Sequence, residues 1–562
     1  MKENERGSMP HLNLKLWMLG VTSSLLLSIP YIVPHTGLII LIAFIPLFTA
    51  EHIAAQSGKK NFWIIYYGVF FIWNLLTTYW IFKATPSGAA AAIILNALQM
   101  AVIFRLFRWF RKIATGIIPY IIFMLMWVGW ERIYQNVQIS WPWLTLGNAF
   151  ATSVKSVQWY SAVGSIGGSL WILLINILLF RIIKFIVWKE EILQSSIVAA
   201  IFLFVPLIYS QFRYYTYKEN TGYGVTKQIS ILQPNIDPYN DKFGGLSNSE
   251  QDTILFRLAK EAVTPNTYLV FAPETFFSPD SKENMLLENT PDSNKTYKAF
   301  KNFSISHNVN FIWGAVTQFF YTPTNHNGLP EMNGELGSDA PSPTATNIAG
   351  ALWYDTYNSS VYNNPNGLYD FYHKSKLVIM AETYPVFRGK IIFRRLGIDL
   401  GGGYGSFGKQ LRRSVFTTSD GTKIGTAICY ESVYGGYYRD FVKKGARLMS
   451  IITNDGWWGN TFGYRQHLNY ARLRAIETRR DIARCANTGI SAIINQRGDI
   501  KAQSQWWKRG YVNGAINVNS ALTPFVKYGD IAGIISMWGS VLFILMGITH
   551  AIRKKDLISG II

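Results

Sequence analysis

Apolar and polar positions separate this chain of 562 residues into two kinds of segment. Apolar residues are concentrated in the first 210 positions and again near the C-terminus, whereas the region between carries most of the Asp, Asn, Gly and Ser. A helix that spans a membrane needs about 20 predominantly apolar residues. Runs of this length predict eight spans, at roughly 14–33, 36–54, 61–82, 88–107, 115–134, 160–186, 191–210 and 529–551. The pattern therefore predicts a multi-pass α-helical membrane domain.

The long polar insert has the pattern of a folded domain with mixed secondary structure. Short runs with apolar centres predict strands at 228–236, 267–275, 309–317, 423–431, 446–454 and 491–498. Helical periodicity predicts helices at 249–263, 295–308 and 466–487. The segment 321–347 is rich in Asn, Pro, Gly and Ser and predicts a long polar loop. Strands mixed with helices indicate an α/β or α+β layered domain.

Three consecutive regions follow from these patterns. Residues 1–221 are predicted to form a membrane domain with seven transmembrane helices. Residues 222–520 are predicted to form the α/β domain, and 521–562 an eighth transmembrane helix with a tail. The first apolar run lacks a small-residue cleavage site and is followed at once by further spans. We therefore expect it to be retained and not removed as a signal peptide.

The positive charge of the chain fits a membrane protein better than a nucleic-acid-binding protein. The formal net charge is +20, but many Lys and Arg residues stand in short clusters beside apolar runs. These clusters mark the N-terminus, the second, fourth and sixth connections and the C-terminal tail. By the positive-inside rule, both termini are then cytoplasmic, and the α/β domain lies on the outer side of the membrane, in the periplasm.

The connection at 130–150 is long and rich in Trp, including Trp141 and Trp143 in the motif "WPWLTLG". It is predicted on the same outer side as the α/β domain. One interpretation is an aromatic belt at the membrane surface, where Trp is enriched. The other is a lipid-facing loop that helps to form the entrance for an acyl chain.

Cysteine and histidine usage limits the candidate chemistry. The two cysteines, Cys429 and Cys485, cannot form a disulfide framework. The eight His are scattered, and neither CxxC nor HExxH occurs, so we expect no metal site. Cys429 lies at the end of the predicted strand 423–431, where layered α/β folds expose reactive groups. A buried packing role is the alternative for a Cys in an apolar strand.

Charged residues at other strand ends could activate Cys429. Glu274 follows "YLVFAP", Lys374 lies in "DFYHKSKLVIMAETYP", and Glu431 is two residues past Cys429, on the same side if the chain is extended. A carboxylate to accept a proton, an ammonium to stabilise negative charge and a thiol to attack would form a complete acyl-transfer set. Each charged residue, taken alone, could instead be an ordinary solvated one.

A histidine is the rival candidate for the base, because Cys–His pairs are common in nucleophilic catalysis. His373 and His467 are available in the insert. His373 neighbours Lys374, and its side chain should point the opposite way if that segment is extended.

Several motifs together carry a resemblance to a known superfamily. "FAPET", "YHKSKLV" and "AICYES" occur in the order, and with the strand context, of the Glu–Lys–Cys triad of carbon–nitrogen hydrolases, the nitrilase superfamily. With its flanking membrane helices the chain resembles the bacterial apolipoprotein N-acyltransferases. The resemblance covers nearly the whole chain and includes the run from "TNDGWWGN" at 453–460 to "NQRG" at 495–498. It implies a nitrilase-like αββα sandwich for the α/β domain.

The resemblance also implies roles for individual residues. Glu274 would be the general base, Lys374 the cation that stabilises the oxyanion, and Cys429 the nucleophile. Glu382 matches a loop Glu that the family carries in "PFGE", although the motif here reads "IMAE". Tyr430 and Glu431 match a supporting Tyr-Glu pair. Candidate substrate-binding residues are Phe243, Trp141, Trp143, Asn358, Trp457 and Trp458.

The implied reaction has two halves and requires no cofactor. Cys429 would take an acyl chain from a phospholipid as a thioester, and the chain would then pass to the α-amine of the diacylglyceryl-Cys of an apolipoprotein. The alternative from the same superfamily is a membrane-tethered amidase or nitrilase that uses water as the second nucleophile. A third hypothesis is a catalytically inactive lipid-binding or scaffold protein.

Overall fold

The computed structural model describes residues 3–188, 194–219, 226–242, 244–279, 281–321, 345–349, 352–379, 381–383, 386–387, 390–391, 406–410 and 413–559. The chain divides into two compact units. The first comprises residues 1–82, 86–216 and 528–562, and the second comprises residues 83–85 and 217–527.

The α-helices are numbered along the chain, and most of the early ones belong to the first unit. They are α1 (Glu3–Ile32), α2 (Ile45–Gln56), α3 (Trp63–Thr78), α4 (Ile81–Ala84), α5 (Pro86–Phe110), α6 (Ile118–Tyr134), α7 (Tyr160–Trp188), α8 (Gln194–Thr216), α9 (Asn248–Ala262), α10 (Lys295–Ser306), α11 (Gly435–Lys443), α12 (Phe462–Thr478), α13 (Pro524–Tyr528) and α14 (Ile531–Ser559).

The first unit is a bundle of apolar helices, as the sequence predicts. Among the described residues, six helical segments are long and apolar enough to cross a membrane: His11–Ile32, Gly37–Gln56, Pro86–Phe110, Tyr160–Trp188, Ser196–Thr216 and Ile531–Arg553. The other two predicted spans are also helical but shorter, with 16 residues in α3 and 17 in α6. The prediction of a multi-pass helical membrane region is therefore confirmed.

Helices of the first unit approach one another closely and leave apolar surface for lipid. A Cβ at Gly129 of α6 would lie 2.9 Å from the Cα of Met537 in α14, so these two backbones can meet only because position 129 has no side chain. On α8, by contrast, Ile197, Ile208 and Phe212 are each more than 60% exposed. Such exposure of large apolar side chains is typical of a helix face that meets hydrocarbon.

The second unit contains the strands, which are also numbered along the chain. They are β1 (Thr226–Gln233), β2 (Thr267–Phe271), β3 (Leu286–Leu287), β4 (Asn310–Tyr321), β5 (Thr346–Ala349), β6 (Leu352–Asn363), β7 (Tyr369–His373), β8 (Val386–Phe387), β9 (Lys390–Ile391), β10 (Phe416–Thr417), β11 (Lys423–Ile428), β12 (Leu448–Thr453), β13 (Ile482–Ala486), β14 (Ala492–Ile494), β15 (Ile500–Gln503) and β16 (Gly510–Asn517).

Two large sheets organise this unit. The first has the order β16-β1-β2-β4-β6-β5, with β3 beside β4 and β7 beside β6. The second has the order β10-β11-β12-β13-β14-β15. The central pairs β1/β2, β2/β4, β11/β12 and β12/β13 are parallel. Reactive groups collect at the carboxyl ends of such parallel strands, and both Glu274 and Cys429 follow one.

The sheets pack face to face and carry helices on their other faces, which is the predicted αββα arrangement. Cys485 of β13 reaches the carbonyl of Leu232 in β1, with a sulfur-to-oxygen distance of 3.2 Å. On the opposite face of the first sheet, α9 and α10 bury an aromatic and aliphatic core. In it, Phe300 stacks on Trp313 with ring centroids 4.0 Å apart. Helices α11 and α12 cover the second sheet.

Each predicted strand overlaps an observed one, but one predicted helix is too long. The helix predicted over 466–487 ends at Thr478, because Arg479 adopts a left-handed backbone with φ +49°. The residues that follow form β13 and pair with β12 in the core. An apolar run beside a helix does not reveal this change from its periodicity alone. Most of the predicted polar loop at 321–347 lies outside the described residues.

Candidate active site

Cys429 stands at a sharp turn where β11 gives way to a short 3-10 helix, Cys429–Val433. Its backbone has φ +50°, a left-handed conformation that few residues other than Gly adopt. The residue is 8% exposed, in contrast to Cys485, which is fully buried. A strained residue at a strand end is a frequent feature of functional sites.

Three polar side chains from different elements meet around one ammonium group. Lys374, just past β7, places its Nζ 2.7 Å from Oε1 of Glu274 and 2.8 Å from Oε1 of Glu382. Asn358 of β6 donates from Nδ2 to the same two oxygens, each at 2.9 Å. The ammonium is 1% exposed, so these contacts replace its solvation. The structure thus brings Glu274, Lys374 and Glu382 together, with Asn358 as a bridge.

The loop that carries Glu274 is held on both sides. At Gly314 of β4, the amide donates to the carbonyl of Pro273 at 3.1 Å, and a Cβ there would lie 2.6 Å from the Cα of Glu274. On the other side, Lys242 donates from Nζ to the carbonyls of Thr275 and Phe276. The carboxylate is therefore placed by backbone contacts on one side and, on the other, by the buried amine of Lys242, whose pKa burial lowers to about 7.

Burial and charge set the protonation states of the nucleophile and the cation. Burial raises the pKa of the Cys429 thiol well above its usual value, the charge of Glu274 adds to this, and Lys374 opposes it. Burial alone would lower the pKa of Lys374, but Glu274 and Glu382 hold it well above its usual value. The arrangement is a protonated thiol, a charged ammonium and an adjacent carboxylate.

Glu431 connects the two segments that carry Cys429 and Lys374. Its carboxylate accepts hydrogen bonds from the amides of Ile428 at 2.8 Å and Ser375 at 2.6 Å, and from the hydroxyl of Tyr437 at 2.8 Å. The expectation that Glu431 shares a side with Cys429 on an extended chain is wrong, because the chain turns into a 3-10 helix at Cys429. The turn folds the carboxylate back beneath the strand end.

Neither rival histidine contacts the sulfur through a described hydrogen bond. His373 lies 2.9 Å from Oε1 of Glu288 through its Nε2 and stacks on Tyr357. His467 places Nε2 3.1 Å from the carbonyl oxygen of Cys429 and Nδ1 3.0 Å from Oδ1 of Asp455. The described contacts therefore do not place a Cys–His catalytic pair here.

The candidate substrate-binding residues are spread over both units. Trp141 and Trp143 stack in the first unit, with ring centroids 5.1 Å apart. In the second unit, Trp457 packs against Tyr239 and Trp458 against His467.

Other predicted positions have different surroundings. Tyr430 is buried and packs against Tyr434. Phe243 lies outside the described residues. The described residues contain no group of three His, Cys, Asp or Glu side chains that could hold a metal ion.

Sequence reasoning did not identify Lys242, Gly314, Tyr437 or Asp455 as parts of this site. A Lys in a polar turn and a Gly in an apolar strand have no distinctive local pattern, and only the folded contacts give them a role. Asn358 was expected to bind substrate, whereas its observed contacts are to Glu274 and Glu382. The sequence identifies the two carboxylates, but it does not show that Asn358 donates a hydrogen bond to each of them.

Comparisons with known proteins cover nearly the whole chain. A family described as "Carbon-nitrogen hydrolase" matches residues 340–522, and one described as "Apolipoprotein N-acyltransferase N-terminal domain" matches residues 23–178. The apolipoprotein N-acyltransferase of Chlorobaculum tepidum is 27% identical over 95% of this chain and 98% of its own length. That of Geobacter metallireducens is 25% identical over 96% of each chain.

Solved structures of the nitrilase superfamily resemble part of the chain. The Saccharomyces cerevisiae protein Nit3 is 16% identical, with a TM-score of 0.35 over 52% of this chain and 90% of its own. An amidase from Nesterenkonia is 12% identical, with a TM-score of 0.36 over 56% of this chain and 96% of its own.

Proposed function

This chain belongs to the apolipoprotein N-acyltransferase family within the carbon–nitrogen hydrolase superfamily, and we propose that it transfers acyl chains through a thioester on Cys429. Glu274 is the general base and Lys374 the oxyanion-stabilising cation. The observation that supports this assignment best is the buried Lys374–Glu274 pair, whose charges both act on the Cys429 thiol. A carboxylate, an ammonium and a thiol in electrostatic contact are the groups that acyl transfer requires.

In the first half-reaction, Cys429 attacks the carbonyl carbon of a phospholipid acyl ester. Because the pKa of the thiol is raised, its proton must leave as the sulfur–carbon bond forms, and Glu274 accepts it. The charged ammonium of Lys374 stabilises the negative oxygen of the tetrahedral intermediate. The ester carbon–oxygen bond then breaks, the proton on Glu274 passes to the leaving oxygen, and a lysophospholipid departs.

In the second half-reaction, an amine replaces the ester oxygen. The α-amine of the diacylglyceryl-Cys of an apolipoprotein attacks the thioester, and Glu274 accepts a proton from the attacking nitrogen. The carbon–sulfur bond breaks, the proton returns to the sulfur, and an amide is released. Lys374 stabilises the same oxygen as before, so one site serves both halves.

Glu382, Glu431 and Asn358 support the catalytic groups without reacting. Glu382 shares the ammonium of Lys374 with Glu274 and accepts a hydrogen bond from the amide of Val378 at 2.8 Å. Two carboxylates around one ammonium keep the cation charged when it is buried. Tyr430 remains proposed as a supporting residue beside Glu431. Trp457 and Trp458 of the second unit, and Phe243, Trp141 and Trp143, remain proposed as contacts for the lipid substrates.

The chain is a membrane protein, and we place its catalytic unit on the periplasmic face of a bacterial inner membrane. The support is the distribution of Lys and Arg among the connections. A reporter that is active only in the periplasm, fused after residue 219, should be active. Activity of a cytoplasmic reporter at the same position would contradict this orientation.

The thioester is tested by intact-mass measurement of the purified full chain in detergent. After incubation with phospholipid, wild-type protein should gain the mass of one acyl chain, and Cys485→Ala should do the same, because Cys485 is buried between the sheets. Cys429→Ala and Cys429→Ser should gain nothing. An adduct lost in the Cys485 variant but kept in the Cys429 variants would disprove the assignment.

The amidase alternative differs in the second nucleophile. When a lipopeptide with a free α-amine is added to the acylated protein, the acyl chain should appear on the peptide. Release of fatty acid into water at the same rate with and without the peptide would favour a hydrolase. Lys374→Arg should form no thioester, because the longer planar guanidinium does not fit a site built around a compact ammonium.

A further inference from the structure

The left-handed turn at Cys429 is held by a buried polar chain that lies beneath the nucleophile. The carbonyl oxygen of Cys429 accepts a hydrogen bond from Oγ of Ser432 at 2.8 Å. The same oxygen lies 3.1 Å from Nε2 of His467, which is also 3.0 Å from Oγ of Ser432. Ser432 and His467 are at most 1% exposed, so water does not compete for these contacts.

The hydrogen-bonding capacity of these groups identifies the donor. A carbonyl oxygen can only accept, and the single hydroxyl proton of Ser432 is already donated to it. Nε2 of His467 therefore carries a proton and donates it towards the Cys429 carbonyl. A nitrogen that donates to the main chain of the nucleophile is not free to take a proton from its sulfur.

The other side of the imidazole is anchored to the sheet. Nδ1 of His467 lies 3.1 Å from Nη2 of Arg484, which can only donate, and 3.0 Å from Oδ1 of Asp455. The other oxygen of Asp455 accepts from Arg484 at 2.6 Å. Thr453 donates to Oδ1 of Asp455 at 2.9 Å. The chain from Arg484 through Asp455 to His467 thus joins β13 and α12 to the nucleophile.

These contacts act on the conformation that aims the sulfur. A non-Gly residue at φ +50° is strained by about 1 kcal/mol or more, and it stays there only if its surroundings hold it. The peptide group between Cys429 and Tyr430 carries the carbonyl that His467 and Ser432 hold. If that group rotated back towards an ordinary strand conformation, the Cys429 side chain would swing away from Glu274 and Lys374.

We propose that His467 is a positioning residue for the nucleophile. Through its Nε2 hydrogen bond, it holds the Cys429 peptide group in the turn that directs the sulfur at the catalytic carboxylate and ammonium. This inference rests on the proposed role of Cys429, and it assigns His467 a function other than that of a base. Asp455 and Arg484 fix the orientation of the ring.

Two substitutions distinguish the hydrogen bonds of Nε2 from those of Nδ1. The amide nitrogen of a Gln can occupy the place of Nε2, so His467→Gln should keep the donor to the Cys429 carbonyl. The amide group of an Asn reaches only the position of Nδ1, so His467→Asn should keep the contacts to Asp455 and Arg484 but lose the donor to the Cys429 carbonyl. We expect His467→Gln to acylate within 10-fold of wild type and His467→Asn to be slower by about 100-fold, with little change in KM for the phospholipid.

The readouts are the rate of acyl-adduct formation, the rate at which iodoacetamide alkylates Cys429, and the melting temperature of the full chain in detergent. Alkylation needs no lipid, so it tests the position of the sulfur even if the proposed acyl transfer is wrong. His467→Asn should change both rates and melt within a few degrees of His467→Gln.

Three outcomes would overturn the proposal. If His467→Gln were as inactive as His467→Asn, the ring would have a role in proton transfer. If both variants matched wild type, the hydrogen bond would not matter. If the loss in His467→Asn followed an equal loss of thermal stability, His467 would support the fold alone. Ser432→Ala removes the second donor to the same carbonyl and should slow both rates by about 10-fold, which gives an independent test.

Discussion

Replacing Gly314 with Ala should displace Glu274 without removing any catalytic group. Gly314 lies in β4, where the strand passes directly beneath the loop that follows β2. An added Cβ would lie 2.5 Å from the carbonyl oxygen of Pro273, 2.5 Å from the amide of Thr275 and 2.6 Å from the Cα of Glu274. All three neighbours are main-chain atoms, so no side chain can rotate to make room.

The size of the displacement follows from these distances. Ordinary contact begins at 3.4 Å, so the methyl group overlaps its nearest neighbours by about 0.9 Å. The loop must move outward by a similar amount, which carries the carboxylate of Glu274 away from Lys374. A misplacement of about 1 Å at a reacting group lowers the rate by about 100-fold. The same overpacking should destabilise the second unit by about 1–3 kcal/mol.

The rate of acyl-adduct formation on Cys429, followed by intact mass with saturating phospholipid, measures the effect. Gly510→Ala is the matched control, because an added Cβ there meets nothing within 4 Å. We expect the control to acylate like wild type and Gly314→Ala to be slower by about 100-fold while it remains folded at the assay temperature.

A wild-type rate for Gly314→Ala would refute the reasoning, since the loop would then tolerate the shift or Glu274 would not be the base. If the acylation rate fell only in proportion to the fraction of Gly314→Ala protein that is unfolded, the displacement of Glu274 would be refuted as well. Rapid alkylation of Cys429 by iodoacetamide in the variant would show that the nucleophile itself is undisturbed.

Three further changes test other contacts of the site and the fold. Asn358→Asp replaces the donor between two carboxylates with a third carboxyl group, so acylation should fall by about 100-fold or more at pH 8. It should recover partly at lower pH, where the introduced carboxyl group is protonated. Asn366→Asp, exposed in the following turn, is the control. A wild-type rate for the first variant would contradict this. Lys242→Met removes the donor to two carbonyls of the loop that bears the base, so acylation should fall by about 10-fold or more, whereas the exposed Lys260→Met on α9 should be neutral. Equal rates for these two variants would contradict the role of the Lys242 hydrogen bonds. Burial raises the pKa of Asp481 to about 7, although hydrogen bonds to the carboxylate lower it. The protonated acid therefore supports the folded state fully below the pKa of Asp481 in the unfolded chain, near 4. This stability is lost as the pH rises towards 7. Asp481→Asn should therefore raise the free energy of unfolding at pH 8 by up to about 4 kcal/mol, seen as a higher melting temperature, and should have a much smaller effect at pH 4. If Asp481→Asn stabilised the protein equally at both pH values, ionisation of the buried Asp481 carboxyl group would not be the cause.

Local patterns in the sequence determined the division of the chain and the identity of the reactive groups. Runs of about 20 apolar residues identify membrane helices because hydrocarbon leaves no alternative for an unpaired backbone. Strands with apolar centres identify the sheets because both of their faces are buried. Cys429, Glu274 and Lys374 were found as chemical groups at strand ends, and their motifs connected them to a superfamily.

Strands without such centres were not found. β6 and β16 were not predicted, although each forms a long antiparallel pair, β6 with β4 and β16 with β1. The burial of β16 alternates between exposed and buried positions. Its pairing depends on a strand almost 300 residues earlier, and no local window contains that partner. The left-handed Arg479 that ends α12 is likewise decided by packing and not by periodicity.

Only the tertiary structure decided how the reactive groups are held. Asn358 bridges two carboxylates that are 108 positions apart in sequence, Gly314 makes room for one of them, and His467 holds the nucleophile through its main chain. A sequence records which side chains are present, but hydrogen bonds and steric clearances are distances between segments that meet only after folding. The chain alone therefore determined which chemistry is available, and the packing of two sheets determined where each proton donor and acceptor lies.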